Sequence, residues 1–257
     1  MASPASVDAE TLFRRVSLPL VSIAPRGKDV TTIVRGSATM FGDRPDEPFA
    51  LGVFLYIDGA LVWQHTIEGL DYAHPAEVRV PAAERPAEPG LLFIYATRQA
   101  YLHGAETPRK PEFEESWVFL VSDGSGALAV SFPAVPYIGS RKKGIDHKYQ
   151  CYAGLRLVPQ RWRSVAYVIN PYPDPLDLRC WLQSTRGRLE RVVERTLPPK
   201  SVRAIDLLET AAVAGDPARF DSGTLIAWGS LKPQGYVAIA GPAGRARAMD
   251  HFNPFWS

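Results

Sequence analysis

Residues 49–67, which read FALGVFLYIDGALVWQHTI, decide the fold of this chain. Two apolar runs, Phe49 to Ile57 and Leu61 to Ile67, flank the dipeptide Asp58-Gly59. Asp-Gly supplies the positive φ angles that a tight type I′ turn requires, and the flanking Val, Ile, Phe and Tyr residues favour strands. The stretch therefore predicts a hairpin of two neighbouring antiparallel strands.

Short apolar runs of the same kind recur along the whole chain, and most are ended by Pro, Gly, Asp or Asn. Runs of four to eight residues bounded by turn formers are typical of sandwich or barrel strands. The 23 prolines among 257 residues also disfavour long helices, because proline removes a backbone donor. We predict an all-β fold. Further examples are Trp117 to Val121, Val165 to Ile169, Thr224 to Trp228 and Tyr236 to Ala240.

Two segments predict short peripheral helices. Residues 6–15 carry a capping residue and acids at the start and two arginines at the end, as a helix or an ordered arm would. Asp206 to Ala214 begins with a capping residue and is followed by Gly215, a typical helix stop.

The most probable domain boundary lies between Ser122 and Tyr149, where turn residues and a basic loop interrupt the strand pattern. We predict two tandem antiparallel β-sandwich domains. Residues 1–140 form the first, with an N-terminal arm, and residues 141–257 form the second, with an aromatic tail.

The bulk composition limits the possible partners. A formal net charge of +2 provides no global field for nucleic acid or an anionic membrane. The chain starts with small and polar residues and has no apolar run long enough to span a bilayer, so we expect no membrane span and a cytoplasmic protein.

Sequence motifs for catalysis, cofactors and metals are absent: there is no HExxH, GxSxG, P-loop or dinucleotide-binding GxGxxG motif. We therefore predict no catalytic residues, no cofactor and no metal ligands. Cys151 and Cys180 have no zinc-type spacing, and either a pair or two reduced thiols is compatible with the sequence.

The basic midsection is the first candidate binding region. Arg141, Lys142, Lys143 and His147 precede aromatic residues that include Trp162, and such a mixture can contact a sugar, an anion or a single strand. A solvated linker is the alternative. His147 and Cys151 would lie about 13 Å apart on a strand, which argues against a nucleophilic pair.

The C-terminal tail is the second candidate region. His251, Phe252, Phe255 and Trp256 place an imidazole among three aromatic rings. Such a tail is expected to dock on apolar surface, either of its own body or of a neighbouring subunit, with Pro254 fixing its approach. An acid-oriented imidazole at His251 is the chemical alternative.

Five segments between Val165 and Phe252 follow one another as strands and turns: Tyr167 to Asn170, Leu176 to Leu182, Thr196 to Ser201, Ala204 to Leu207 and Ser222 to Trp228. In this order they resemble the soluble sensory rhodopsin transducer family, whose members are β-sandwiches. The resemblance implies a sandwich that self-associates and binds partners, without known catalytic chemistry. The chain departs from the family in its additional N-terminal half and in its aromatic tail.

The sequence favours a non-catalytic binding or assembly protein that recognises a partner protein or a small polar ligand, with self-association expected. A carbohydrate-active or hydrolytic enzyme is the first alternative, with Glu114, Asp146, His147 and His251 converging between the domains. A nucleic-acid binder using the basic midsection is the second alternative and is disfavoured.

Overall fold

A computed structural model describes most of the chain. The residues it describes are 8–24, 30–37, 47–71, 76–81, 88–106, 117–124, 130–133, 135–136, 149–213, 215–241 and 246–254. Within these ranges the protein is mostly strand, arranged in four antiparallel sheets with a few short helices, which confirms the predicted all-β class.

The strands before residue 140 form sheet 1, in the order β4-β3-β6-β1-β9, and sheet 2, in the order β5-β2-β7-β8. Their bounds are β1 Leu20–Ala24, β2 Val30–Ser37, β3 Phe49–Ile57, β4 Ala60–Leu70, β5 Ala76–Val80, β6 Gly90–Arg98, β7 Trp117–Gly124, β8 Val130–Pro133 and β9 Val135–Pro136.

The strands after residue 140 form sheet 3, in the order β14-β11-β16-β17, and sheet 4, in the order β13-β12-β15-β10-β18. Their bounds are β10 Tyr149–Ala153, β11 Arg163–Asn170, β12 Leu176–Gln183, β13 Leu189–Leu197, β14 Ser201–Asp206, β15 Thr224–Gly229, β16 Gln234–Ala240, β17 Ala246–His251 and β18 Asn253–Pro254.

In the described part of the chain, three α-helices accompany the sheets: α1 (Ala9–Val16), α2 (Gln99–Leu102) and α3 (Leu207–Val213). Both helices predicted from sequence are present. Asp8 caps α1 by accepting the Thr11 backbone N–H at 2.9 Å. The Asp206 carboxylate accepts the Leu208 N–H at 3.0 Å at the start of α3. Among the residues described, the helices are too short and too polar to reach across a lipid bilayer.

The predicted hairpin is also confirmed. Asp58 and Gly59 have φ angles of 47° and 86°, and they join β3 to β4 in antiparallel register. Strand β10 ends at Ala153, and the following Gly154 has a φ of 82°.

The described residues form two apolar cores, and sheet 3 contributes to both. Ile169, Val202 and Tyr236 are buried with the side chains of sheets 1 and 2 in the first core. Val168 and Val237, their neighbours in sequence, are buried with the side chains of sheet 4 in the second core. Successive residues of a strand point to opposite faces, so one sheet is shared between the two cores.

Contacts at the hairpin turn also link residues from both sides of the predicted boundary. Gly59 donates its N–H to the Lys200 carbonyl at 3.2 Å, and Arg203 forms an ion pair with Asp58 at 2.9 Å. Tyr236 donates its hydroxyl hydrogen to the Val21 carbonyl at 3.2 Å inside the first core. Residue 140 itself lies outside the described residues, so the domain boundary stays a prediction.

We expect Ile169→Ala to lower the free energy of unfolding by about 2 to 5 kcal/mol, because it leaves a cavity in a core to which both halves contribute. Urea unfolding followed by tryptophan fluorescence and circular dichroism should show one transition that shifts as a whole. Leu189→Ala is the control, since Leu189 is 52% exposed and its loss should cost less than about 0.5 kcal/mol. Two separate transitions, with only one shifted, would contradict the shared core.

Candidate functional site

A surface cleft of about 530 Å³ opens at the end of sheet 4 where β12 and β13 are joined. Its volume is within the usual range for small-molecule sites. One wall is the β12–β13 turn, and the other is a 3-10 helix that spans Pro217–Phe220. The residues that line it are Ser184, Thr185, Arg186, Arg188, Asp216, Ala218 and Arg219.

The turn that carries two of the arginines is held by its own hydrogen bonds. The Ser184 carbonyl accepts the Gly187 N–H at 2.9 Å, and the Ser184 N–H donates to the Arg188 carbonyl at 2.8 Å. The Ser184 hydroxyl oxygen accepts the Arg188 N–H at 3.1 Å. Gly187 adopts a φ of 80°, which glycine accommodates without strain. The backbone beneath Arg186 and Arg188 is therefore ordered before any ligand arrives.

Acidic side chains orient two of the three guanidinium groups. Glu190 lies 2.6 Å from Arg188 and 3.3 Å from Arg219. Asp216 lies 3.7 Å from Arg219. The Arg219 side chain is 33% exposed, so it is held in place and still reaches solvent. Among the described residues, Arg186 has no acidic partner within ion-pair distance.

This arrangement suits an oxyanion. Among the described residues, three guanidinium groups meet the carboxylates of Asp216 and Glu190, which leaves a local excess of one positive charge. Guanidinium is planar, always charged, and donates hydrogen bonds in a fork that matches carboxylate and phosphate oxygens. The cleft can therefore bind and orient a small anion.

The predicted basic midsection is only partly described. Arg141, Lys142, Lys143 and His147 lie outside the described residues. Trp162 is partly exposed on a tight turn, where its backbone N–H donates to the Val158 carbonyl at 2.8 Å.

Two arginines that follow the basic midsection in sequence already bind other side chains of the same chain. Arg156 donates to the Ser222 hydroxyl at 2.6 Å, and Arg163 forms an ion pair with Asp206 at 3.1 Å. Neither guanidinium is therefore free of an intramolecular partner.

The predicted aromatic tail divides into a buried part and a part outside the described residues. Phe252 is 6% exposed and packs into the second core, where its N–H donates to the Gly235 carbonyl at 2.8 Å. The Phe252 ring therefore packs on the body of its own chain, which is one of the two positions expected for the tail, the other being a neighbouring subunit. His251 is the last residue of β17 and lies opposite Tyr236. Phe255 and Trp256 lie outside the described residues.

Three of the four residues of the enzyme alternative, Glu114, Asp146 and His147, lie outside the described residues, so their convergence stays a prediction. Among the described residues, no group of three or more His, Cys, Asp or Glu side chains is placed to hold a metal ion.

Both cysteines are free thiols in the structure. Burial raises the pKa of both thiols, in the case of Cys180 to about 12. A raised pKa lowers the thiolate fraction and makes both residues poor nucleophiles at neutral pH.

A second cluster of titratable groups lies beneath helix α1. Glu10 is buried and accepts hydrogen bonds from Arg14 and from the hydroxyl of Tyr56. Tyr95 donates to the same carboxylate at 3.3 Å. The ammonium group of Lys200 lies 4.4 Å from the centre of the Tyr56 ring.

These contacts hold α1 on sheet 1. The carboxylate of Glu10 is bonded by three neighbours, so the cluster is a structural clamp and offers no unsatisfied group to a substrate. Phe13 on the same helix packs so closely over Gly52 that a Cβ there would lie 2.6 Å from the ring. Burial raises the pKa of Tyr56 and Tyr95 and lowers the pKa of Lys200.

The arginine cleft was not predicted from sequence. Its only local signal is the basic turn Thr185-Arg186-Gly187-Arg188, since arginines on both sides of a turn glycine are set close together. Arg219 comes from a distant part of the chain, and only the fold places it beside that turn.

Comparisons with known proteins give no family. No family model and no curated protein matches the chain. Similar solved structures include a calcium-binding mutant of Bacteroides uniformis beta-glucuronidase 2 and Bacteroides uniformis beta-glucuronidase, each 13% identical, with TM-scores of 0.19 and 0.20. Both matches cover 92% of this chain and 26% of that chain, so this chain spans about a quarter of their length. TM-scores this low support no inference about this chain.

We expect the buried tyrosines to make stability fall at alkaline pH. In the unfolded chain a tyrosine ionises near pH 10, whereas the raised pKa of Tyr56 and Tyr95 keeps both protonated in the folded protein. The stabilisation is fully present below about pH 10 and is lost as the pH rises from there towards the folded-state pKa values. Urea unfolding between about pH 8 and 11 measures this slope.

The Tyr56→Phe variant tests the assignment. The variant's free energy of unfolding should fall by about 1.5 to 3 kcal/mol near neutral pH, because the Glu10 carboxylate loses the hydrogen bond that it accepts from the Tyr56 hydroxyl. Its stability should also fall less steeply above about pH 10. Tyr152 and Tyr167, whose pKa values burial also raises, remain in the variant and keep part of the slope. Lys200, whose pKa burial lowers, acts in the opposite direction in both proteins. An unchanged slope would contradict the clamp.

Proposed function

We propose that this chain is a non-catalytic binding protein whose arginine-lined cleft takes up a small oxyanionic ligand. The observation that carries the proposal is the convergence of Arg186, Arg188 and Arg219 on one cleft, where the described carboxylates of Asp216 and Glu190 leave an excess of one positive charge. It narrows the expectation of a small polar ligand to a ligand with carboxylate or phosphate groups.

Preorganisation supports binding at this position. Binding is weakened when side chains or loops must be ordered on association. Here the turn backbone is closed by its own hydrogen bonds, and Glu190 holds Arg188 and Arg219. The turn backbone and the side chains of Arg188 and Arg219 are therefore already ordered in the unliganded fold, so little ordering of these groups is left to weaken binding.

The electrostatic pattern supports a small anion over a polyanion. The positive excess is confined to a cleft at one end of sheet 4, while the chain as a whole has a net charge of only +2. A long polyanion gains affinity from many cationic contacts along its length. In the described residues, Arg156 and Arg163 already have partners within the chain.

Self-association and a protein partner, which the sequence predicts, are compatible with this role and remain proposals. The same holds for the transducer-family resemblance, which implies binding without known catalysis.

Isothermal titration calorimetry with inorganic phosphate and with citrate tests the proposal. We expect the double variant Arg186→Ala, Arg188→Ala to bind at least about tenfold more weakly, a difference of about 1.4 kcal/mol, because it removes two of the three cationic groups. Binding to the wild type should also weaken with added sodium chloride, since an exposed site is screened by salt.

Arg195→Ala is the matched control. Arg195 is an exposed arginine of β13 that does not line the cleft. Its replacement removes one positive charge, as each cleft substitution does, and leaves the cleft lining unchanged. No binding of either anion by the wild type, or equal weakening in Arg195→Ala, would refute a specific anion site.

A further inference from the structure

The outward face of sheet 4 carries aromatic residues where a sandwich normally presents polar ones. Leu178, Cys180 and Leu182 of β12 are buried in the second core, so the alternate residues of that strand point outward. Trp181 is one of these outward residues and is partly exposed. Trp228 of β15 is partly exposed on the same face.

The strand register aligns two aromatic and two charged side chains of this face in one row across the sheet. Trp228 lies opposite Tyr149 of β10 on one side and opposite Arg179 of β12 on the other. Arg179 in turn lies opposite Glu194 of β13. Neighbouring strands are about 4.8 Å apart, so the row of four residues from Tyr149 to Glu194 is about 14 Å long.

The row is open to solvent. Tyr149 is 43% exposed, and the side chains of Arg179 and Glu194 are 48% and 49% exposed. The Arg179 guanidinium lies 5.2 Å from the centre of the Trp228 ring, which fixes the indole in position. A register shift between Cys180 and Trp181 marks a β-bulge beside the row, and bulges often re-aim side chains at binding sites.

The charges on this face are balanced by one another. Glu194 pairs with Arg179 at 2.9 Å and with Arg191 at 2.9 Å. Asp177 accepts the Thr196 hydroxyl hydrogen at 2.8 Å. Among the described residues of this face, two arginines therefore face two carboxylates, and these four groups provide no net charge to attract a phosphate backbone or another polyanion.

We propose that this row, Tyr149, Trp228, Arg179 and Glu194, binds a neutral carbohydrate. A sugar ring is apolar on the face that carries C–H groups and polar at its hydroxyl-bearing rim. The indole and phenol rings offer flat apolar surfaces to the C–H face of the sugar. Arg179 and Glu194 offer a charged donor and a charged acceptor to its hydroxyl groups. The length of the row accommodates about two sugar rings at the spacing of adjacent strands.

This site differs from the arginine cleft. The cleft lies beyond the end of β12 at Ser184, whereas Arg179 lies within that strand. The two also select opposite chemistry, since the cleft has excess positive charge and the row does not. Each proposal can therefore fail without the other.

Affinity electrophoresis of the full chain in gels containing soluble neutral polysaccharides tests the proposal. The panel is hydroxyethylcellulose, xyloglucan, galactomannan, laminarin and dextran. We expect at least one of them to retard the wild-type protein. Trp228→Ala should weaken that retardation at least tenfold, and Tyr149→Ala should weaken it several-fold, because each removes one stacking surface.

Two controls separate a binding effect from a folding effect. Trp162→Ala removes a partly exposed tryptophan that is outside the row and should leave the retardation unchanged. Thermal melting checks each variant. If Trp228→Ala does not fold, Tyr149→Ala decides the test, because Tyr149 is a surface residue. The double variant Arg186→Ala, Arg188→Ala should keep polysaccharide binding whether or not it binds anions.

Three results would overturn the proposal. The first is no retardation by any of the five polysaccharides. The second is retardation that Trp228→Ala and Tyr149→Ala leave unchanged. The third is another occupant: binding of single-stranded oligothymidylate that depends on Trp228, or a wild-type dimer in light scattering that becomes a monomer in Trp228→Ala.

Discussion

Burial of the central strands of sheet 3, β11 and β16, on both faces is the constraint on which the rest of the fold depends. A strand in a sheet with one wet face alternates apolar and polar residues, whereas a strand buried on both faces has a nearly continuous apolar run. Residues 165–169 of β11 and 236–240 of β16 are continuous apolar runs of the second kind. Each run sends neighbouring residues into two different cores. Sheets 1 and 4 are therefore both packed on the same layer, and removing either would expose one of its apolar faces.

The clamp beneath α1 solves a related problem for sheet 1. The β3 and β6 strands are also almost entirely buried, so their second face needs a cover. Helix α1 covers this face with Phe13. The burial of Glu10 on the same helix is offset by hydrogen bonds from Arg14, Tyr56 and Tyr95. An unpaired buried carboxylate would be costly, and three partners remove that cost. The first core is thus covered by a helix on one side and by sheets 2 and 3 on the other.

Local chemistry was predictable from the sequence, and long-range placement was not. The turn at Asp58-Gly59 and the capping of α3 by Asp206 depend on residues adjacent in the chain, so each could be recognised in isolation. The sharing of Ile169 and Val168 between two cores could have been suspected from the unbroken apolar run, but an unbroken run does not identify what packs on each face. The cleft needed Arg219 to meet the turn at Arg186, and the aromatic row needed the register of four strands. Neither follows from spacing along the chain.

The division between buried and exposed aromatic residues indicates where recognition can reside. Phe13, Phe54, Tyr95 and Tyr236 are fully buried and carry the packing. Tyr149, Trp181 and Trp228 lie on the outward face of sheet 4, where packing does not require them. An aromatic residue that gains little from the core is better explained by a contact outside it. Both candidate sites belong to sheet 4, the row to its outward face and the cleft to its end, so ligand contacts there can vary without disturbing the layer that both cores share.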